Sequence, residues 1–270
     1  MSDGINIEDL VAGHVKDTDY FHLPFYHLEI PDFLVSLGIT KFVLIEIAAA
    51  IVMGLIFLPM AARVRGGKPV KGRFWNLIEV FLVYMKDEVI VPSIGKKDAA
   101  LFIPYLWTLF FFILFCNLGG MLPWAGSPTG SVMVTGVLAI CTFVVVVATG
   151  MVHHGITGFW LGMIPPMEGT IGIILAPFMF VLEVFSFFVK HCSLCIRLMA
   201  NMFGGHLMIA VFLAFIPMSA WAIYAWIPIT FMVIVTAVCV SFLELFVAFL
   251  QAYIFTFLTS VYIGMAIHQH

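Results

Sequence analysis

Five polar or charged side chains recur at helical spacing inside one long apolar segment of the sequence. They are Glu183, Ser186, Lys190, Arg197 and Asn201, at offsets of 0, 3, 7, 14 and 18. On an α-helix these positions lie within about 60° of one another, so they form one polar stripe. Charged groups at membrane depth are costly and usually face a water-filled path or a protein interface. The alternative, mutual neutralisation of Glu183 and Lys190, is weaker because two helical turns separate them.

Arg197 has the most restricted chemistry of the stripe. A guanidinium group stays protonated at any relevant pH, so Arg197 is not expected to carry a proton itself. It can hold a passing carboxyl group in its ionised form, because an opposite charge favours that form. The same helix contains no Asp or Glu at a spacing suited to neutralise Arg197. We therefore expect its partner to be Glu244 or a carboxylate of another chain.

His206 is the nearest titratable residue beyond the stripe. It follows Arg197 by nine residues, on the opposite helix face. A lone histidine on an apolar helix is often only a packed core residue. Here Glu244, in the next long apolar segment, offers a titratable partner, which favours a functional interpretation of His206.

Metal binding is a competing interpretation of the histidines and cysteines. Cys192 and Cys195 follow His191, but a thiolate pair in lipid would need a metal with further ligands, and the sequence has no second pair. We therefore interpret both cysteines as small packing residues. The histidines show no ligand spacing on one helix face, so we expect no metal, no cofactor and no membrane-bound metalloenzyme.

The composition identifies the solvent of the chain as lipid. Of its 270 residues, 63% are hydrophobic and only 10% are charged, whereas soluble domains carry roughly 25% charged residues. No basic patch interleaved with aromatic residues indicates nucleic-acid binding. The composition predicts an all-α integral membrane protein.

Six helical elements position these residues. The sequence predicts five membrane-embedded helices and, between the first two, an amphipathic helix on the cytoplasmic surface. The spans are Lys41–Ala62, Ala99–Leu122, Ser131–Val152, Phe178–Ile216 and Ile229–Ile263, and the surface helix is Phe74–Val91. The corresponding regions are an external lead-in (1–40), the first span with its basic loop and surface helix (41–98), the second and third spans (99–152), a cytoplasmic loop (153–170) and a two-helix hairpin (171–270).

The basic residues set the orientation. Eight of the twelve Lys and Arg residues fall between Arg63 and Lys97. Basic residues near membrane spans stay in the cytoplasm. We therefore expect this region inside, the N-terminus outside and the C-terminus in the cytoplasm.

The last two spans are too long to cross a bilayer upright. Their 39 and 35 residues correspond to roughly 58 Å and 52 Å of helix, against about 30 Å of hydrocarbon. We expect a steeply tilted hairpin that turns within Ser219–Pro228. Sequence midpoints then place Arg197 level with Gln251, and His206 level with Glu244.

Two segments of this hairpin resemble a known family. The run Cys192–His206 is similar to the signature of subunit a of the F-type ATP synthase, Arg-Leu-x-x-Asn-Met-x-x-Gly-His/Glu on a long tilted helix. Leu250–Phe255 and Leu258–Ile263 resemble the C-terminal helix of that family. Family members often have an acidic residue in place of His206 and a histidine in place of Glu244, so this pair looks exchanged as a unit.

The resemblance implies a function and a set of partners. The chain would be the stator wall against which a ring of c subunits turns, with no catalytic site of its own, together with b-type peripheral stalk subunits in a bacterial inner membrane. Arg197 would face the carboxylates of the ring. The outer half-channel would lie near Asn201, His206, Glu244 and Gln251, and the inner half-channel near Glu183, Ser186 and Lys190.

Two segments depart from the family pattern. Asn117 fits the pattern of the second span, near the proton path, but Gly120 stands where an acidic residue is frequent. Thr129–Thr135 resembles the segment that opens the next span, yet it lacks the usual Asp or Asn. We therefore expect an outer channel mouth with fewer acidic groups, unless Glu46 or the acidic N-terminal segment contributes.

A secondary transporter that binds an anionic substrate at Arg197 is the alternative function. The sequence shows no inverted repeat of the kind that many transporters have, and the last two helices are longer than a transporter span requires. Both features favour the stator.

Overall fold

The structure is a computed structural model. It describes residues 20–22, 27–29, 31, 33, 36, 40–65, 72–122, 127–162, 170–218 and 223–268.

Long apolar α-helices account for most of the described chain, and the predicted all-α membrane architecture is confirmed. Five helices are long and apolar enough to cross a membrane. They are α1 (Lys41–Arg65), α4 (Ala99–Gly120), α5 (Val132–Gly162), α6 (Thr170–Met218) and α7 (Ile223–Ile267). Helices are favoured there because every backbone polar group must be satisfied without water. At 49 and 45 residues, α6 and α7 measure about 73 Å and 68 Å.

A helix is present where the surface helix is predicted, and it is made of three pieces; its place on the cytoplasmic surface stays a prediction. These are α2 (Arg73–Tyr84), a π-helix (Met85–Ile90) and α3 (Val91–Ile94). Its buried face includes Ile78 and Leu82. The end of α3 is set by Gly95, whose φ of 97° is in the region that favours glycine.

The expected cytoplasmic loop 153–170 is wrong over its first ten residues. Helix α5 continues to Gly162, with a kink at Gly155, where φ is +76°. A glycine adopts this conformation without steric cost. Beyond the kink, Phe159 is buried and packs against Gly150, so burial of an aromatic ring favours helix where the polar residues suggested a loop.

The expected turn Ser219–Pro228 is shorter than predicted. Helix α6 ends at Met218 and α7 begins at Ile223, so residues 223–228 are helical and only 219–222, outside the described residues, remain between them. Pro228 lies within the second turn of α7. A proline there removes one helical hydrogen bond, which costs less near a helix start than in its interior.

The N-terminal lead-in contains two short antiparallel strands, β1 (Tyr20–His22) and β2 (His27–Glu29). Tyr20 pairs with Glu29 and His22 with His27. Most of residues 1–39 lie outside the described residues.

The chain divides into two compact units. The first, here called the Glu244 unit, comprises Met1–Ile56, Phe111–Val134 and Leu198–Ala252. The second, the His191 unit, comprises Phe57–Phe110, Thr135–Arg197 and Tyr253–His270. The core of the His191 unit is a cluster of buried apolar side chains from the surface helix and from α4, α5 and α7: Ile90, Ile94, Ala99, Phe102, Leu106, Val146, Phe159, Ile263, Ala266 and Ile267.

Candidate functional site

Arg197 is exposed on the surface of the isolated chain. It lies in the middle of α6, at the last position of the His191 unit on that helix. Arg197 forms no salt bridge with any carboxylate in the part of the chain that the structure describes. A permanent positive charge on an apolar helix is expensive unless another group neutralises it. The arrangement thus leaves the guanidinium available to a group on another molecule.

The stripe continues along α6 towards its N-terminus. Glu183, Ser186 and Lys190 are each partly exposed. Glu183 and Lys190 form no ion pair with each other or with any other described residue. Their polarity is therefore not consumed by mutual neutralisation.

Asn201, the last residue of the stripe, contacts the other long helix. Its Nδ2 donates a hydrogen bond of 2.9 Å to Oε1 of Gln251. Gln251 is 1% exposed, and its Nε2 has no hydrogen-bond partner among the described residues. This hydrogen bond joins α6 to α7 inside the Glu244 unit, and it leaves Nε2 of Gln251 as an unused donor among the described residues.

Glu244 packs against Gly205 in the same unit. A methyl group built at position 205 would lie 2.7 Å from Oε1 and 2.9 Å from Cδ of Glu244. The carboxylate therefore occupies space that only a glycine leaves free, and Glu244 is 5% exposed. The side chain of His206, the next residue, lies outside what the structure describes, so the expected His206–Glu244 pairing stays a prediction.

Asn117 brings α4 to the same part of α7. Its Nδ2 donates to the backbone carbonyl of Ala248 at 3.0 Å. Its Oδ1 is buried and has no partner among the described residues. The buried amides of Asn117 and Gln251 therefore each have one atom, an acceptor oxygen and a donor nitrogen respectively, that can bind a further polar group.

Gly120, which stands where the resembling family often has an acidic residue, has a steric reason to be glycine. A methyl group at this position would lie 2.6 Å from Oγ and 2.9 Å from Cα of Ser127. Ser127 is itself held by a 3.0 Å hydrogen bond to Thr129. The place that an acidic side chain would occupy is therefore filled by the segment before α5.

Sequence reasoning missed the buried polar residues of α5. Thr135, Thr142 and Thr149 are all buried and recur every seven residues, a heptad signal that could have been found. Thr135 accepts a hydrogen bond from Cys195 on α6, with an Sγ–Oγ1 distance of 3.3 Å. Cys195 thus has a packing partner in the His191 unit.

The comparison with known proteins assigns the chain to a family. The family model described as "ATP synthase A chain" matches residues 42–264 of this chain. This range includes all five long helices except the first residue of α1 and the last three residues of α7. The chain belongs to the ATP synthase A chain family. It is a multi-pass membrane protein of the membrane sector of ATP synthase.

Relatives in this family are similar over most of their length. A protein of Myxococcus xanthus named ATP synthase subunit a is 35% identical over 249 residues, which cover 90% of this chain and 79% of the relative. The ATP synthase subunit a of Rhodobacter capsulatus is 39% identical over 202 residues, 74% of this chain and 81% of the relative. The ATP synthase subunit a 2 of Chlorobaculum tepidum is 35% identical over 271 residues, 96% of this chain and 72% of the relative. The likeness therefore extends well beyond the signature around Arg197.

Proposed function

We propose that this chain is the stator subunit that guides protons to and from a rotating ring of c subunits. The observation that carries the proposal is Arg197, which is exposed on a bilayer-length helix of an ATP synthase A chain and has no carboxylate partner among the described residues. Its partners are the mid-membrane carboxylates of the ring, presented one after another as the ring turns.

The outer proton path runs through the polar residues of the Glu244 unit. A proton from outside reaches Glu244 and His206 and passes Gln251 and Asn201. Support comes from the burial of Glu244 and Gln251, and from the buried amide atoms of Gln251 and Asn117 that lack partners among the described residues. Buried amide groups of this kind are suited to bind ordered water, and the carboxyl group of Glu244 can take up and release a proton.

Protonation of a ring carboxylate allows the ring to turn. A neutral carboxyl group can face lipid, whereas an ionised one is held back by the cost of burying charge. After rotation, the carboxyl group releases its proton near Glu183, Ser186 and Lys190, which line the inner path. Arg197 lies between the two paths, stabilises the ionised carboxylate and prevents direct leakage of protons.

The proposed setting is the bacterial inner membrane. The N-terminus lies outside and the C-terminus in the cytoplasm, because the basic residues around the first two spans favour the inside. The c ring and b-type stalk subunits are the proposed neighbours. ATP chemistry takes place in other subunits of the complex.

Substitution of Arg197 tests the function. Arg197→Ala should abolish ATP synthesis driven by a proton gradient in membrane vesicles. Arg197→Lys should not restore it, because an ammonium group lacks the planar fork of a guanidinium. The matched control is Arg63→Ala, since Arg63 lies 5.6 Å from the centre of the Trp75 ring, away from the proposed paths. Normal synthesis by Arg197→Ala would sink the proposal.

Substitution of Glu244 tests the outer path separately. Glu244→Gln keeps the shape of the side chain and removes its ionisable proton. We expect proton flow to fall strongly while the complex still assembles. Rates equal to those of the wild type at every pH would remove Glu244 from the path and leave the role of Arg197 intact.

A further inference from the structure

His191 is a buried residue that the proposed function does not use. It lies on α6, six residues before Arg197, and is 4% exposed. Three aromatic rings surround its imidazole, those of Phe143, Phe187 and Tyr262, at centroid distances of 5.2 Å, 4.8 Å and 5.0 Å. They come from α5, α6 and α7 within one unit. A phenylalanine would suit these surroundings, so the polar atoms of His191 require their own explanation.

The hydrogen bonding of His191 fixes its tautomer. Its Nδ1 lies 3.0 Å from the backbone carbonyl oxygen of Phe187. A carbonyl oxygen only accepts hydrogen bonds, so Nδ1 carries the hydrogen, and in the neutral ring Nε2 is an acceptor. This Nε2 is buried and has no hydrogen-bond partner in the described part of the chain. The imidazole is thus arranged to accept a hydrogen bond from a further donor.

The chemistry of the site favours water as that donor. Buried polar groups without a protein partner are commonly satisfied by an ordered water molecule. A metal ion is disfavoured because no three His, Cys, Asp or Glu side chains are grouped to hold one among the described residues.

The His191 site and Arg197 lie six residues apart on α6 and belong to the same unit. The ring of Tyr262 on α7 contacts the imidazole in that unit. Ser260, two residues before Tyr262 on α7, is buried, and its Oγ also lacks a partner among the described residues. Two polar groups of this unit can therefore bind water. One is His191 on α6, on the N-terminal side of Arg197, and the other is Ser260 on α7.

We propose that Nε2 of His191 accepts a hydrogen bond from a water molecule buried among α5, α6 and α7, and that this water belongs to the inner proton path leading to Arg197. The inference rests on the function proposed above, because it adds a water-binding group to the same path. One part of the inner path then lies inside the chain, among α5, α6 and α7, in addition to the partly exposed stripe on α6.

Three substitutions of His191 separate its possible roles. In His191→Gln the side-chain amide can place an acceptor oxygen near the position of Nε2. In His191→Asn the shorter amide reaches only the position of Nδ1. His191→Phe keeps the aromatic packing and removes both nitrogen atoms. Passive proton conductance is measured in vesicles freed of the water-soluble sector, after a potassium diffusion potential is imposed.

We expect the Gln variant to keep most of the wild-type conductance. The Asn and Phe variants should each fall by about tenfold, as expected when a buried hydrogen-bonded group is lost. Wild-type conductance in the Phe variant overturns the proposal, because aromatic packing would then be the whole role of His191. Equal losses in all three variants, or failure of both Asn and Phe variants to assemble into the complex, also overturn it.

Arg197→Ala, prepared in parallel, distinguishes the two levels of the argument. Normal proton-driven synthesis in Arg197→Ala would contradict the proposed function itself. Loss of synthesis in Arg197→Ala together with wild-type conductance in His191→Phe would overturn the water site alone.

Discussion

Asn201 and Gln251 join the two longest helices through a side-chain hydrogen bond of 2.9 Å. The two helices run antiparallel at this contact, because Glu244 packs on Gly205: moving four residues forward along α6 moves seven residues back along α7. Residues that are distant in sequence are therefore brought to one polar region. This region lies one helical turn beyond Arg197 on the same helix.

The Asn201–Gln251 bond should be visible as non-additive stability. Asn201→Leu leaves the buried amide of Gln251 without its partner, and Gln251→Leu removes the partner of the half-buried Asn201 amide. Loss of one partner costs more than loss of both, because an unsatisfied buried amide carries a desolvation penalty. The double variant should therefore lose less than the sum of the single losses, by about 1 kcal/mol.

The measurement is thermal release of the chain from the purified complex. Thr236 provides the control, because its hydroxyl group bonds only to Met232 of its own helix turn. Thr236→Val combined with Asn201→Leu should give an additive loss. If the losses of Asn201→Leu and Gln251→Leu also add up in the double variant, the hydrogen bond between the two side chains contributes nothing to stability.

Gly205 should be intolerant of even one methyl group. Gly205→Ala would bring Cβ to 2.7 Å from Oε1 of Glu244, so the carboxylate must move from its place. We expect ATP-driven proton pumping to fall while the amount of assembled complex changes little. Gly204→Ala is the matched control, since no atom lies within 4 Å of the added methyl group. If both variants pump equally, the position of Glu244 does not matter for proton flow.

Two histidines hold the end of α7 in the His191 unit. Nε2 of His154 lies 2.9 Å from the carbonyl oxygen of Ile267, and Nε2 of His268 lies 2.9 Å from that of Ile94. Carbonyl groups at a helix end lack helical partners, so these bonds satisfy them. Replacing either histidine by alanine should cost about 1 kcal/mol locally.

Hydrogen exchange of the last turn of α7 measures this effect. Amide exchange should be faster in His154→Ala and in His268→Ala than in the wild type. His153→Ala is the control, because His153 is exposed and makes no hydrogen bond with the described residues. Unchanged exchange in all three variants would contradict a role of these bonds in holding the helix end.

The existence of the spans could be predicted from sequence, whereas their ends and register could not. Bilayer-length apolar runs determine α1 and α4 because lipid forces backbone hydrogen bonds to close within a helix. The extension of α5 depends on Phe159 packing beside Gly150, a contact across the kink at Gly155 that helical periodicity does not predict. Sequence midpoints predict that Gln251 is level with Arg197, which stays a prediction. The hydrogen bond that joins Gln251 to Asn201 depends on side-chain direction as well as on position along the helix.

The residues of the candidate site are likewise only partly predictable from the sequence. Asn201 and Glu244 could be singled out because polar residues on apolar helices are rare, and Gln251 through the resemblance to the family. The sequence places His191 only beside the cysteine pair Cys192 and Cys195, and its aromatic surroundings come from three helices whose packing no local pattern specifies. The steric reason for Gly120 also needed the position of Ser127.

Gly264 should be essential for packing α7 against α3. A methyl group at position 264 would overlap the backbone carbonyl oxygen of Ser93, and backbone atoms yield less readily than the end of a flexible side chain. We expect Gly264→Ala to cost about 1–3 kcal/mol, the usual range for overpacking, and to reduce the amount of assembled complex. Gly136→Ala is the control, since that position is helical with nothing within 4 Å. There alanine should be neutral or slightly stabilising, because it is the better helix former. Quantitative blotting of the chain in membranes compares the two, and equal amounts would mean that α3 and α7 are not held at the separation seen here.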